Sequence, residues 1–135
     1  MTMLFKRALR HKHRHMGAMI PYCEGRVGHG WDQLGTRTSD TDYTALRASM
    51  PMRPLDYFKK FYADTAVFGA AAATRCGLSF FGVDRVLFAS DTPFEPEPGI
   101  YISETIDVLD RLEIIDDERD FIYRKNAQPL LRLNA

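Results

Sequence analysis

The stretch RVLFASDTPF, residues 85–94, opens as an unbroken apolar run and breaks off at an acid. Apolar residues without alternation are the pattern of a strand buried on both faces, as in parallel sheets. Asp91 then stands at the strand exit, where α/β folds present side chains to ligands. Upstream, VFGAAAATRCGLSFFG (67–82) is Ala-rich and closes on Gly82, which predicts a helix with a glycine stop. Before it, residues 61–65 alternate as a short strand, and Pro54 suits the first turn of a helix through LDYFKK. MGAMIPY (16–22) predicts the end of a buried strand, and EGRVGHGWDQLGTRTSD (24–40) a loop with at most a helical turn. Ser39 and Asp40 are candidate caps for a helix through Tyr43 and Leu46 that ends before Pro51. Downstream, Ile102, Ile106, Leu109 and Leu112 predict one apolar helix face. Asp116 and Asp117 suit the start of a helix to Lys125, and Asn126 the cap of a last one. This alternation predicts an α/β fold of parallel βα units. Three units are too few for a closed (βα)8 barrel of about 250 residues.

With 135 residues the chain fills one domain at most. Eighteen basic and 18 acidic groups cancel, so no chain-wide field recruits nucleic acid or an anionic membrane. Residues 1–15 nevertheless hold Lys6, Arg7, Arg10, Lys12 and Arg14 and no acid, which leaves the remainder at −5. No apolar run reaches the roughly 20 residues of a membrane span, and MTMLFKRALRHKHRH lacks the apolar region of a signal peptide. Cys23 and Cys76 have no CxxC spacing, so the expectation is reduced thiols in the cytoplasm.

Asp91 and His15 are the candidate catalytic residues. Asp91 follows an expected strand, and His15 precedes Met16-Gly17-Ala18 and Pro21 at another strand end, where small residues after a histidine let backbone pass close to a ligand. The bland alternatives are a turn-capping carboxylate and an ordinary surface histidine. His11, His13 and His15 alternate and would share one side of a strand, a spacing that can bind zinc or nickel. A frayed basic start with adventitious metal affinity explains His11 and His13 better. Arg26, His29, Trp31 and Arg37 fall in the Gly-rich stretch, and Arg26 with Trp31 suits a pocket for an aromatic acid. A solvated loop with one packed indole has equal weight. Asp64, an acid inside a short strand, suits the orientation of a partner or pairing with an arginine. Phosphate loops, GxSxG and HExxH are absent.

HMGAMIPYCEGRVGHGWD (15–32), RPLDYFKKFYADTA (53–66), GVDRVLFASDTPF (82–94) and IYRKNAQPLLRL (122–133), in that order, resemble the last third of the amidohydrolase-2 family. That family includes aminocarboxymuconate-semialdehyde decarboxylase-like and resorcylate decarboxylase-like enzymes. The resemblance covers residues 15–135 and implies a distorted (βα)8 barrel with one divalent metal, zinc or manganese, at the C-terminal ends of its strands. It makes residues 16–21 the sixth strand and its exit, 61–65 the seventh and 85–90 the eighth. His15 then matches the acid/base or substrate-orienting histidine, and Asp91 the carboxylate that reaches the metal and takes part in proton transfer. The first-strand His motif and the fifth-strand metal histidine have no counterpart, Ala18 replaces a common Gly, and residues 1–14 are a basic segment unlike the family.

The resemblance therefore implies a C-terminal fragment of a metal-dependent decarboxylase or hydrolase. Its substrate would be an aromatic or related small-molecule carboxylic acid, and the chain is expected to be inactive alone and homo-oligomeric. Two alternatives stand beside it: a non-catalytic binding or scaffold piece, and a small enzyme whose site is completed across subunits.

Overall fold

The computed structural model describes residues 12–36 and 42–133. A three-stranded parallel sheet in the order β1-β2-β3 organises them, with β1 at Lys12–His13, β2 at Tyr62–Asp64 and β3 at Val86–Leu87. Lys12 lies opposite Tyr62, His13 and Val86 both lie opposite Ala63, and Leu87 lies opposite Asp64. The two later strands fall inside the expected runs. The first does not: it precedes residues 16–21 instead of occupying them. His15, Met16, Gly17 and Ala18 all take positive φ, which ends extended backbone at once. A 3-10 turn at His15–Gly17 leads into α1, Met19–Tyr22, whose first turn tolerates Pro21.

The expected loop at 24–40 is instead largely the helix α2, Glu24–Asp32. Its glycines disfavour helix, so packing has overridden propensity. A Cβ on Gly28 would stand 2.9 Å from Arg53 Nη2 and 3.1 Å from Leu55 Cδ2, so the missing side chain admits a neighbouring segment. Ion pairs at 2.6 Å join Asp32 to Arg53 and Glu24 to Lys59. Such exposed pairs fix geometry more than they stabilise. The helix α3, Thr44–Ser49, starts on Asp42, whose Oδ1 accepts the Thr44 N–H at 2.8 Å. The expected caps Ser39 and Asp40 lie outside the described residues, as do His11 and Arg37.

Pro54 begins α4, Pro54–Phe58, as expected. The crossover from β2 to β3 is α5, Ala71–Phe81, ended by Gly82 at φ 82°. The loop after β3 leads to α6, Ile100–Asp110, which buries Thr105 and Leu109; Leu112, just past its end, is buried as well. Ile102 and Ile106 are each more than a third exposed, so the buried stripe is rotated from the expected one. The expected helix to Lys125 is α7, Asp116–Asp120, continued by a π turn at Phe121–Lys125. Asn126 does not cap α8, Ala127–Leu131, through its side chain. Its amide instead donates to the carbonyls of Val83 at 2.7 Å and Val86 at 2.8 Å, tying the C-terminal helices to β3.

Ala63, Val86, Leu109 and Ile122 are fully buried at the centre of the core, with Met16, Leu55, Phe80 and Phe81 around them. Both cysteines are free thiols. Among the described residues no helix is long and apolar enough to cross a membrane.

Candidate functional site

Because all three strands run parallel, their C-terminal ends lie together. His15 follows β1 closely, Asp64 closes β2, and Asp91 lies in the loop that leaves β3. Backbone strain collects at the same end. Among the described residues, the non-glycine positions with positive φ are His15 (54°), Met16 (53°), Ala18 (53°), Phe68 (51°), Asp91 (69°) and Arg132 (54°), and all but the last follow a strand exit. Left-handed non-glycine backbone costs about 1–3 kcal/mol per residue and concentrates at functional sites.

The β1 exit is closely held. The His15 N–H donates to Asp64 Oδ1 at 2.9 Å, and Nδ1 of its ring lies 2.5 Å from the Ala66 carbonyl oxygen. A carbonyl only accepts, so Nδ1 carries the proton in this contact. In the neutral ring that leaves the Nε2 lone pair free for a proton or a ligand. Below His15 the packing is tight: a Cβ on Gly17 would fall 2.7 Å from the Phe81 ring, and one on Gly77 2.7 Å from Met16 Sδ.

The β3 exit is built otherwise. Thr65 prolongs the sheet by side chain, since its hydroxyl donates to the Ala89 carbonyl at 2.8 Å and accepts the Ala89 N–H at 2.9 Å. Beyond it, the Ser90 and Thr92 hydroxyls pair at 2.9 Å. Glu95 Oε1 accepts the Thr92 hydroxyl at 3.1 Å and the Gly99 N–H at 3.0 Å. The Gly99 N–H, above all, holds the Glu95 carboxyl below its ordinary value. Asp91 is half-buried at the head of this loop, and no described residue hydrogen-bonds its carboxylate.

Arg26 and Trp31 both lie on α2 but line different hollows, so they do not form one pocket. Arg26 shares an open surface hollow of about 500 Å³ with His29 and Gln33. Trp31 lines an apolar cavity of about 340 Å³ with Leu46, Met50, Phe58 and Phe61, its ring 6.0 Å from that of Phe58. The sequence offered no sign of a third cavity, about 380 Å³, at the ends of β2 and β3. Asp64, Leu87 and Ala89 line it on one side, and Pro129, Leu131 and Arg132 on the other.

Among the described residues no three His, Cys, Asp or Glu side chains converge to hold a metal. A catalytic zinc takes about three protein ligands, so the donors described here do not by themselves fit a divalent ion.

An amidohydrolase family model matches residues 13–133. The γ-resorcylate decarboxylase of Rhizobium sp. strain MTP-10005 is 31% identical over 124 residues, which cover 90% of this chain and 33% of that protein. The γ-resorcylate decarboxylase of Polaromonas sp. strain JS666 is 31% identical over 121 residues, covering 89% of this chain and 33% of the relative. A crystal structure of dihydroxybenzoic acid decarboxylase from Polaromonas, with bound manganese and the inhibitor 2-nitroresorcinol, matches at a TM-score of 0.64 and 28% identity. That match covers 90% of this chain and 33% of the other. The 5-carboxyvanillate decarboxylase of Sphingomonas paucimobilis shares the fold at a TM-score of 0.67 and 21% identity, again over 90% of this chain and 33% of that one. The chain thus spans about a third of the length of the curated relatives it matches. With its parallel strands, its strained exits and a family match over nearly its whole length, the chain belongs to the amidohydrolase family.

Proposed function

We propose that this chain is the C-terminal βα portion of a (βα)8-barrel decarboxylase acting on hydroxybenzoate-type acids, with β1, β2 and β3 as the sixth, seventh and eighth strands. The observation that carries the proposal is the placement of His15 and Asp91 at one end of a parallel sheet. In decarboxylation the bond from ring carbon to carboxylate breaks, the electron pair stays on the ring carbon, and a proton takes the place of the departing carbon dioxide. His15 orients the substrate or exchanges that proton through Nε2, and Asp91 takes part in the transfer. Arg26 is a candidate carboxylate contact from α2, and Trp31 a candidate aromatic one. The names of the relatives support decarboxylation over hydrolysis.

Asp91 supplies one oxygen donor toward a divalent ion, manganese or zinc. One carboxylate does not hold such an ion, so the other donors come from outside the described residues, and the chain alone does not turn over. Within this reading it is a cytoplasmic protein that associates with further copies of itself. Among the described residues, β1 and β3 each have a strand neighbour on one side only, which favours pairing with other chains.

The test is metal content after gel filtration in manganese or zinc, followed by carbon dioxide release from 2,6-dihydroxybenzoate. Neither stoichiometric metal nor turnover is expected from the chain alone. Both together, with turnover abolished by Asp91→Asn, would make it a self-sufficient enzyme and overturn the fragment reading.

A further inference from the structure

Asp64 is an acid at the end of the central strand, a place that strand propensity disfavours. Its side chain is only 4% exposed, and a buried carboxylate is costly unless hydrogen-bonded. Oδ1 accepts two backbone N–H groups, that of His15 at 2.9 Å and that of Ala66 at 3.3 Å. These residues are the two ends of a second contact, since the His15 ring donates from Nδ1 to the Ala66 carbonyl. One carboxylate oxygen therefore holds the N–H of the residue from which the imidazole projects and the N–H of the residue whose carbonyl accepts the ring's hydrogen bond. It also offers a reason for the strained φ of 54° at His15, which persists only where neighbours over-determine it.

We propose that Asp64 is a positioning residue that sets the tautomer of His15. By fixing His15 and Ala66 together it keeps the ring proton on Nδ1 and directs the Nε2 lone pair outward. The functional value of this arrangement rests on the reading of His15 as the substrate-facing histidine. The arrangement itself does not, and its test needs no turnover.

The experiment is long-range nitrogen–proton correlation NMR on the nitrogen-15-labelled chain at about pH 8, above the ordinary histidine range near 6.5. His15→Gln identifies the His15 signals. The unaltered chain is expected to show His15 predominantly as the Nδ1–H form. Asp64→Asn, whose side-chain oxygen can accept the same two N–H groups, should keep that form. Asp64→Ala should move the ring toward the Nε2–H form that an unrestrained imidazole favours, while the methyl signals of Val86 and Ile122 report an intact core. A predominantly Nε2–H ring in the unaltered chain overturns the proposal without any variant. So does an unchanged tautomer in a folded Asp64→Ala chain. Either failure leaves the decarboxylase reading standing, because that reading is tested by carbon dioxide release.

Discussion

The exits of β1 and β3 hold the two candidate groups in opposite ways. At the first, His15 is fixed through its backbone and its ring, and Gly17 and Gly77 let Phe81 and Met16 close in beneath it. At the second, the loop is knit by Thr65, Ser90, Thr92 and Glu95, yet Asp91 stands at its head with no hydrogen bond to its carboxylate from the described residues. The difference separates a group organised by its own chain from one whose carboxylate the described residues leave without a hydrogen bond. A buried carboxylate that accepts two N–H groups stabilises the fold, whereas a half-buried acid held in left-handed backbone costs stability for a purpose the fold does not reveal.

Substitutions at the two exits should therefore differ in size and sign. Gly17→Ala should cost most, about 3 kcal/mol, because it combines a positive φ with a Cβ placed against the Phe81 ring. A shift in the denaturant midpoint reads it, and an unchanged midpoint would mean the β1 exit is not tightly packed. Asp64→Ala should cost about 2 kcal/mol in the same measurement, through two buried N–H groups left without an acceptor. Asp91→Gly should act the other way and stabilise the chain by about 1 kcal/mol, since glycine relieves the φ of 69° and no hydrogen bond is lost among the described residues. Destabilisation by Asp91→Gly would show that Asp91 has a structural role, and the contrast would collapse.

The smallest effect concerns pH at the β3 exit. The folded-state value of Glu95 is lowered, so its contribution is present above its ordinary 4.5 and is lost as pH falls through the lowered value. The Gly99 amide signal should follow that step below pH 4.5, and Glu95→Gln should remove it. A step at or above 4.5 would show that the loop does not grip its carboxylate.

What the sequence disclosed depended on how local the cause was. The apolar run at 85–90 and the Ala-rich 67–82 carry their own signals, and β3 and α5 fall within them. The first strand is two residues in a basic segment, too short for any period, and it forms because β2 offers it a parallel partner. The helix α2 defies its glycines because Gly28 admits Arg53 and Leu55, a contact between segments well separated in sequence. Asp64 was visible as an oddity. Its two N–H partners, and the Ala66 carbonyl 51 residues from His15, were not. Arg26 and Trp31 sit near each other in sequence, but their directions on α2 separate them into different hollows.

The most direct test replaces the matching third of the Rhizobium γ-resorcylate decarboxylase with residues 13–133 of this chain and measures carbon dioxide release from 2,6-dihydroxybenzoate. The chimera should decarboxylate, and His15→Gln or Asp91→Asn within it should each lower kcat at least about 100-fold, the scale of a lost proton-transfer group. A folded chimera that retains full turnover with both residues replaced would contradict the assignment of the site to these two strand exits.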